Sequence, residues 1–409
     1  MLAFSNSYKN KGAIVINRKI NLIIMLEFSA QELSKFMEMH RNIAEYINLN
    51  PIQRGGILPD SVKEIVLEWV DGYSICDHCE GVLSEIKDPP IETFIAEILP
   101  KFLEIDEVRL TNGAREGIFA ILHSVCKPGD SIIIDKNSHY SVFLAAERVG
   151  LNVIEVENNG YPEYKILEDQ YAEKIEEIKN KSGSYPELAV VTYPDGNYGN
   201  FPDAKKIAEI CHEYEIPVLV NAAYAIGRMP ISARKLKADF IVGSGHKSMA
   251  STGPIGILGI KDEWKDVIFR KSWRYKNKEV EFLGCGPRGL AVVTLMASFP
   301  HVLERVKKWK NEVEKARYFV KEMENIPTVK QLGVKPTSHD LNFFETPIFY
   351  EISKKHKRGR FFLYRELKKR GIIGIKPGLT KNFKLSTYLL TKDEINRVLE
   401  AFQEIASLH

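Results

Sequence analysis

Residues 238–248 read Ala-Asp-Phe-Ile-Val-Gly-Ser-Gly-His-Lys-Ser. An apolar strand over 238–242 runs into a turn of small residues, Gly243-Ser244-Gly245-His246-Lys247-Ser248. Small residues let a backbone turn tightly and approach a ligand. A lysine just past a strand sits at the mouth of a sheet, where a carbonyl compound can react with it. A Schiff-base lysine must lose its proton, which a desolvated pocket promotes. A solvated lysine after a strand is the plain alternative, and this stretch alone leaves the two level.

The same strand-then-turn grammar repeats on the amino-terminal side. Strands are predicted at 108–110, 131–134, 152–156, 188–192 and 217–220. Helices are predicted at 114–126, closed by Pro128-Gly129-Asp130, at 138–149, closed by Gly150, and at 204–214. Strands alternating with helices predict an α/β fold with a mostly parallel, seven-stranded-type sheet and helices on both faces. Ligands of such sheets sit at the carboxyl ends of the strands. Further upstream, 26–48 reads as a helix, the stretch through Pro51, Gly55, Gly56 and Pro59 as irregular, and 61–70 as a short amphipathic helix. From about Met296 the chain is helix-rich and charged, then mixed. A length of 409 residues suits two domains. The expected division is an N-terminal extension over 1–24, a helix and arm over 25–60, a large cofactor-binding domain over 61–290 and a smaller C-terminal α/β domain over 291–409. Because Met25 opens a more helix-like segment, residues 1–24 read as a start-site artefact.

Composition excludes several classes. With 44% hydrophobic and 27% charged residues the chain is an ordinary globular protein. A net charge of +3 means that any polyanionic partner must be met by a local patch. Five cysteines, an odd number, do not make a disulfide scaffold at this length and point to a reducing, cytoplasmic setting. No stretch approaches the roughly 20 apolar residues of a membrane span. The apolar runs at 13–16 and 22–26 are interrupted by Arg18 and Lys19 and lack a small-residue cleavage site, so they do not read as a signal peptide.

Four further positions follow strands. Asn221, in Asn221-Ala222-Ala223-Tyr224, lies one strand before Lys247. Thr111-Asn112-Gly113-Ala114-Arg115 opens a helix, whose free N–H groups bind phosphate well; Gly113 and Ala114 permit close approach and Arg115 adds charge. His139 follows strand 131–134 and can stack on a flat ligand or cap the next helix. Asn197 sits in Tyr193-Pro194-Asp195-Gly196-Asn197-Tyr198-Gly199, which reads equally as a ligand loop or as a turn. The cysteines divide in two. Cys126 and Cys211 fall within predicted helices and read as core. Cys76-Asp77-His78-Cys79 and Cys285, in Gly284-Cys285-Gly286-Pro287, read as reactive rather than as inert surface thiols: three thiolates can hold an iron–sulfur cluster, zinc would want a fourth ligand for which His78 is awkwardly placed, and a dithiol with a partner can carry a persulfide and close a disulfide. No other metal set is evident.

Taken in order, Cys76-Asp77-His78-Cys79, Asn112-Gly113-Ala114-Arg115, His139, Asn221-Ala222-Ala223-Tyr224, Gly245-His246-Lys247 and Gly284-Cys285-Gly286 resemble the Sep-tRNA:Cys-tRNA synthase family, within the fold-type I enzymes that use pyridoxal 5'-phosphate (PLP). The resemblance runs from about Asn48 to the end. It implies PLP on Lys247, with contacts from Ala114, Arg115, His139, Asn197, Asn221, Ser244, Gly245 and His246. The wider class usually has Asp where this chain has Asn221. An amide cannot hold the ring nitrogen protonated by charge, so the electron sink is weaker and elimination at the β-carbon is favoured over transamination. The implied reaction converts O-phospho-L-seryl-tRNA(Cys) to L-cysteinyl-tRNA(Cys). Lys247 acts as base, Arg115 and His139 as cations that help phosphate leave, and a persulfide on one of Cys76, Cys79 and Cys285 as the sulfur source. A homodimer, tRNA(Cys) carrying phosphoserine and association with phosphoseryl-tRNA synthetase are implied, with no membrane partner.

Two cationic runs offer phosphate contacts for a tRNA, Phe269–Lys276 with interleaved aromatics and Lys354–Arg360. Either is also explained as a solvated basic face. Three rival readings stand beside the family. A cysteine desulfurase would act on free cysteine, commonly with one mobile cysteine and an Asp at position 221. A non-catalytic tRNA-binding protein would have no use for Lys247. An iron–sulfur or zinc scaffold would bind metal without PLP.

Overall fold

Strands covered on both faces need apolar residues at every position rather than at every second one, and the strand segments of this chain have that character. The structure is a computed structural model that describes residues 45–71, 91–284, 286–357 and 359–408. Its large sheet contains β1 (Glu107–Thr111), β2 (Ser131–Asp135), β3 (Asn152–Val156), β4 (Leu188–Thr192), β5 (Val218–Asn221), β6 (Phe240–Ser244) and β7 (Gly256–Ile260). Their spatial order is β1-β7-β6-β5-β4-β2-β3. All neighbours pair in parallel except β7, which is antiparallel to both β1 and β6. Because β7 alone is reversed, the other six strands deliver their carboxyl ends to one edge.

The alternation of side chains divides the core in two. Ile133, Val191, Val220 and Ile241 face one layer with helices Gln170–Ser182, Ala204–Glu213 and Leu290–Lys307. Ile132, Val190, Leu219 and Val242 face the other, with helices Ala114–Val125 and Tyr140–Val149. Cys126 and Cys211 are buried free thiols in these layers, and burial pushes each up to about 12, so they are inert core as expected. β8 (Lys330–Leu332), β9 (Leu341–Glu345) and β10 (Asn382–Ser386) form a separate antiparallel sheet in the order β10-β9-β8. Phe319, Phe344, Phe383 and Phe402 centre its core. The final helix, Lys392–Ala406, opens on a full capping box between Thr391 and Glu394. No helix among the described residues is long and apolar enough to cross a membrane.

Several local expectations change. Residues 26–44 and 72–90 lie outside the described residues. Ile47–Asn48, expected as helix, is a short strand paired with Ile372–Ile373, and Ile47 and Leu49 join the C-terminal core. Pro51–Arg54, expected as irregular, is one helical turn: the Asn50 side chain accepts from the N–H groups of Ile52 and Gln53, and proline suits the first turn. The helix expected from residue 138 begins at Tyr140, because His139 is its N-cap. Strand β7 and helix Gln170–Ser182 were not anticipated from the sequence.

Gly256 sets how closely β7 can approach the loop before helix Ala114–Val125. A Cβ there would lie 2.4 Å from the carbonyl carbon of Gly113 and 2.6 Å from the nitrogen of Ala114. Gly256→Ala must push that loop outward, and overpacking of this kind costs about 1–3 kcal/mol. Urea unfolding is expected to show that loss, together with weaker binding of any ligand at the loop.

Candidate active site

Each element contributes to the site at the end where its regular hydrogen bonding stops. The carboxyl ends of β1, β2, β4, β5 and β6, with the residues that follow them, surround a cavity of about 520 Å³. Its lining includes Asn112, Gly113, Ala114, Arg115, His139, Ser141, Thr192, Gly196, Asn221, Tyr224, Ser244, His246 and Lys247. Gly113, at φ +100°, turns the chain into helix Ala114–Val125 with no side-chain cap, so the first N–H groups of that helix keep their donor capacity. Asn112 is held by Glu116, whose carboxylate accepts its backbone N–H at 2.5 Å.

Lys247 lies in the single turn Gly245–Ser248 that ends β6. Its Nζ stands 4.4 Å from the centre of the Tyr224 ring and has no carboxylate partner among the described residues. Burial, then the charges of Arg228, Lys384 and Arg115, bring its pKa down to about 8. Beneath it, Asn221 is buried at the end of β5; its Oδ1 accepts from Ala223 N–H at 3.4 Å, while Nδ2 has no protein partner among the described residues. His246 Nδ1 lies 3.2 Å from the carbonyl of Ile255, and both of its ring nitrogens lie 3.4 Å from Ser244 Oγ.

His139 caps its helix and lines the cavity at once. Its Nδ1 accepts from Ser141 N–H at 3.3 Å, which leaves the ring's proton on Nε2 in the neutral form. Burial and the charges of Lys247, Lys384 and Arg115 pull its pKa down to about 4. Burial first, and then these three positive neighbours, favour the neutral ring at pH 7, in contrast to the cation that the resemblance implies. Asn197 lies outside the lining. Asp195 accepts the N–H groups of Asn197, Tyr198 and Asn200, so this loop is built as a turn.

Three contributors escaped the sequence reading. Lys384 comes from β10, with an exposed stem and an ammonium that donates to the Gly196 carbonyl at 2.7 Å and the Asn197 Oδ1 at 3.4 Å. Arg228 is wholly buried, paired with Asp340 at 2.9 Å, and its Nη2 reaches the Lys247 carbonyl at 3.4 Å. Tyr224, the last residue of Asn221-Ala222-Ala223-Tyr224, lines the cavity with its ring beside Lys247 Nζ. The nearest sequence signal was the lone cation Lys384 alternating with apolar Phe383 and Leu385, which is also how any half-exposed strand looks. Cys76, Cys79 and Cys285 lie outside the described residues, and among the described residues no group of His, Cys, Asp or Glu could hold a metal ion. The cationic runs differ in state: Arg270 pairs with Glu281 at 3.3 Å and Lys271 with Glu279 at 2.9 Å, and in the second run Lys354 pairs with Glu351 at 2.7 Å.

Residues 122–407 match the profile of the family described as O-phosphoseryl-tRNA(Sec) selenium transferase, SepSecS. The chain is 54% identical to the O-phospho-L-seryl-tRNA:Cys-tRNA synthase of Methanosarcina mazei, over 91% of this chain and 96% of the relative. It is 52% identical to the enzyme of that name from Methanocaldococcus jannaschii, over 91% and 99%. Among solved structures, a SepCysS–SepCysE N-terminal domain complex superposes with a TM-score of 0.86 at 51% identity, covering 92% of this chain and 99% of that one. A cysteine desulfurase from Thermococcus onnurineus NA1 superposes with a TM-score of 0.71 at 18% identity, over 89% and 95%, which shows a shared fold.

The charge arrangement around Lys247 has a measurable consequence. Lys384→Gln removes one positive neighbour, so the protonated amine is less disfavoured and the pKa of Lys247 rises above about 8. Acetylation of Lys247, followed by peptide mass spectrometry against pH, is expected to show its midpoint move in the alkaline direction.

Proposed function

The chain belongs to the O-phospho-L-seryl-tRNA:Cys-tRNA synthase family, and from that premise we propose how its own residues divide the reaction. It is a PLP-dependent transferase of fold type I that converts O-phospho-L-seryl-tRNA(Cys) into L-cysteinyl-tRNA(Cys).

The residues of the cavity suit PLP. Lys247 has an amine that gives up its proton readily and no counter-ion to lose. Asn221 offers unpaired amide protons to a ring nitrogen, and the helix after Gly113 offers N–H groups to a phosphate. Ala114, Arg115, Ser244, Gly245 and His246 complete the cradle in this proposal, with Asn197 acting behind Gly196. The observation that carries the functional reading is the sign of the charges. The cavity lining contains Arg115 and Lys247 and no carboxylate, and Lys384 stands beside it. Such a site receives phosphate and promotes its departure.

Bound PLP supplies the electron-withdrawing ring that acidifies the substrate's α-C–H. Lys247 takes that proton as general base, with a pKa close to the working pH. Arg115 and Lys384 hold the leaving phosphate, and His139 donates from Nε2 rather than contributing charge. Asn221 donates a hydrogen bond without fixing a proton on the ring, which favours β-elimination. For the sulfur, we assign a persulfide to one of Cys76, Cys79 and Cys285. Its outer sulfur adds to the β-carbon, and the thiolate of a second cysteine then attacks the inner sulfur, forming a disulfide and releasing the cysteinyl thiolate; sulfide attacks that disulfide, the disulfide being the two-electron oxidant, and restores one persulfide and one free thiolate. An iron–sulfur cluster on the same three thiolates is the second reading, and an iron assay on anaerobically purified protein separates the two. A homodimer, a cytoplasmic site of action, and association with phosphoseryl-tRNA synthetase or a SepCysE-like protein complete the proposal.

The test is one anaerobic incubation of PLP-loaded protein with phosphoseryl-tRNA(Cys) and sulfide, followed by identification of the amino acid on the tRNA. Wild type is expected to yield cysteine. Lys247→Ala is expected to lose activity by about 10²–10⁴-fold or more, the scale of a general base. No conversion of the tRNA, with alanine released in a parallel incubation with free cysteine, would overturn the assignment in favour of a desulfurase.

A further inference from the structure

We propose that a basic, aromatic groove beside β10 binds the ribose-phosphate backbone at the acceptor end of the tRNA and leads it along that strand into the active-site cavity, an inference that rests on the substrate assigned above.

Two adjoining concavities, of about 590 and 340 Å³, share Gly359 and Arg360. Arg360, Arg365 and Lys381 line them together with the aromatic rings of Tyr350, Phe361 and Tyr364, and neither lining contains an acidic residue. Among the described residues those three cations have no carboxylate partner, in contrast to Arg270 and Lys271, whose charges are taken up by Glu281 and Glu279. Gathering like charges without counter-ions opposes folding, so an uncompensated group of cations in a concavity marks a place where a polyanion supplies the missing charge. The rings add faces on which bases can stack, and the Arg360 guanidinium already lies 4.7 Å from the Phe361 ring centre.

The groove is shaped by the backbone. A Cβ at Gly359 would stand 2.1 Å from the carbonyl oxygen of Ser353, so only glycine folds the cationic run back against helix Pro347–Lys354. From the groove the chain passes through Lys381 and Asn382 directly into β10, an edge strand of its sheet. Asn382 and Lys384 are exposed on one face of that strand while Phe383 and Leu385 are buried on the other. Three residues of strand carry the path about 10 Å, from Lys381 to Lys384. There the Lys384 ammonium binds the carbonyl of Gly196, which lines the active-site cavity. Burial lowers the pKa of Lys384, and the charge of Lys376, next to the groove residue Pro377, adds to that lowering. Lys381, just before β10, and Lys384, within it, thus place positive charge between groove and cavity.

The experiment titrates PLP-loaded full-length protein against fluorescent phosphoseryl-tRNA(Cys), at several salt concentrations, for wild type and an R360E/K381E variant. The expected result is a Kd raised by about tenfold or more at moderate salt and a log–log salt slope reduced by about one to two. An R360K/K381R variant is expected to bind nearly as wild type. A K101E/K127E variant, with the same change of charge at positions that precede β1 and β2, is expected to leave the Kd in place. Thermal melting and the visible absorbance of bound PLP verify that each variant is folded. An R360E/K381E protein that is folded and binds with wild-type affinity and slope overturns the groove. Wild type that binds tRNA but makes no cysteine overturns the assigned reaction instead, so the two failures are distinguishable.

Discussion

A fully buried ion pair, Arg228 with Asp340, lies directly under the reactive lysine, and most of the active-site architecture converges on it. Both side chains are 0% exposed. The guanidinium donates to both Asp340 oxygens, to the Pro51 carbonyl and to the Lys247 carbonyl, and lies over the rings of Tyr224 and Tyr388. Asp340 also accepts from Ser386 Oγ at 2.5 Å. One pair therefore joins the short helix after Asn50, the lysine turn, the residue just ahead of β9 and the end of β10. Gly55 is part of the same fit, since a Cβ there would lie 2.0 Å from the Lys247 carbonyl oxygen and 2.8 Å from Arg228 Nη2. Burying two charges is expensive even when they meet, and an apolar pair of the same volume is often as stable. What such an isostere would lose is the placement of the lysine turn, and the cation that helps to hold the Lys247 amine toward its neutral form.

The electrostatics of the site follow from that placement. Burial, reinforced by three cations and opposed by no carboxylate, lowers the pKa of Lys247, and burial with a similar set of cations favours the neutral His139 ring. The net charge of +3 could not have revealed this, because the sign that matters is local. Acidic groups nearby are turned to structure. Asp195 spends its oxygens on the backbone of its own turn, and Asp135 accepts from Thr192 N–H and Ser138 Oγ; burial lifts their pKa values to about 6 and about 7. The carboxylates thus brace the loops that carry His139 and Gly196 without neutralising the cavity.

Much of this was legible in the sequence, and the limits have physical causes. The parallel strands were readable because burial on both faces demands unbroken runs such as Ile132-Ile133-Ile134 and Leu219-Val220, bounded by turn formers. The lysine turn, Gly113 and Asn221 were readable because each directly follows such a strand. β7 was not, since Gly256 and Gly259 dilute its apolar character, and those glycines exist for contacts with Gly113, Ile105 and Ile241 that only the folded chain makes. Lys384 and Gly196 are 188 residues apart, and Arg228 and Asp340 are 112 apart. No local pattern announces a partner at that distance. The place of His139 after β2 is legible in the sequence, but its protonation is not, because that depends on burial and then on cations from three other segments.

The fold alone could not have separated the rival chemistries. A cysteine desulfurase shares the architecture at 18% identity, and that likeness carries no substrate. The distinction rests on what each reaction must expel. A desulfurase must also hold the α-carboxylate of free cysteine, but what leaves its substrate's β-carbon is sulfur, so it needs no cations gathered where a departing phosphate would develop its charge. Elimination from phosphoserine releases an anion of two negative charges, and the barrier falls with every cation placed where that charge develops. In the proposed reaction Arg115, at the head of its helix, and Lys384, whose ammonium holds the carbonyl of the lining residue Gly196, are the cations that would meet that requirement. The neutral amide of Asn221 meets the complementary one, since a site that ejects a β-substituent quickly has less use for a strong electron sink than one that must reprotonate elsewhere on the cofactor. Charge gathered around the leaving group and charge withheld beneath the ring are two halves of one selection for β-elimination.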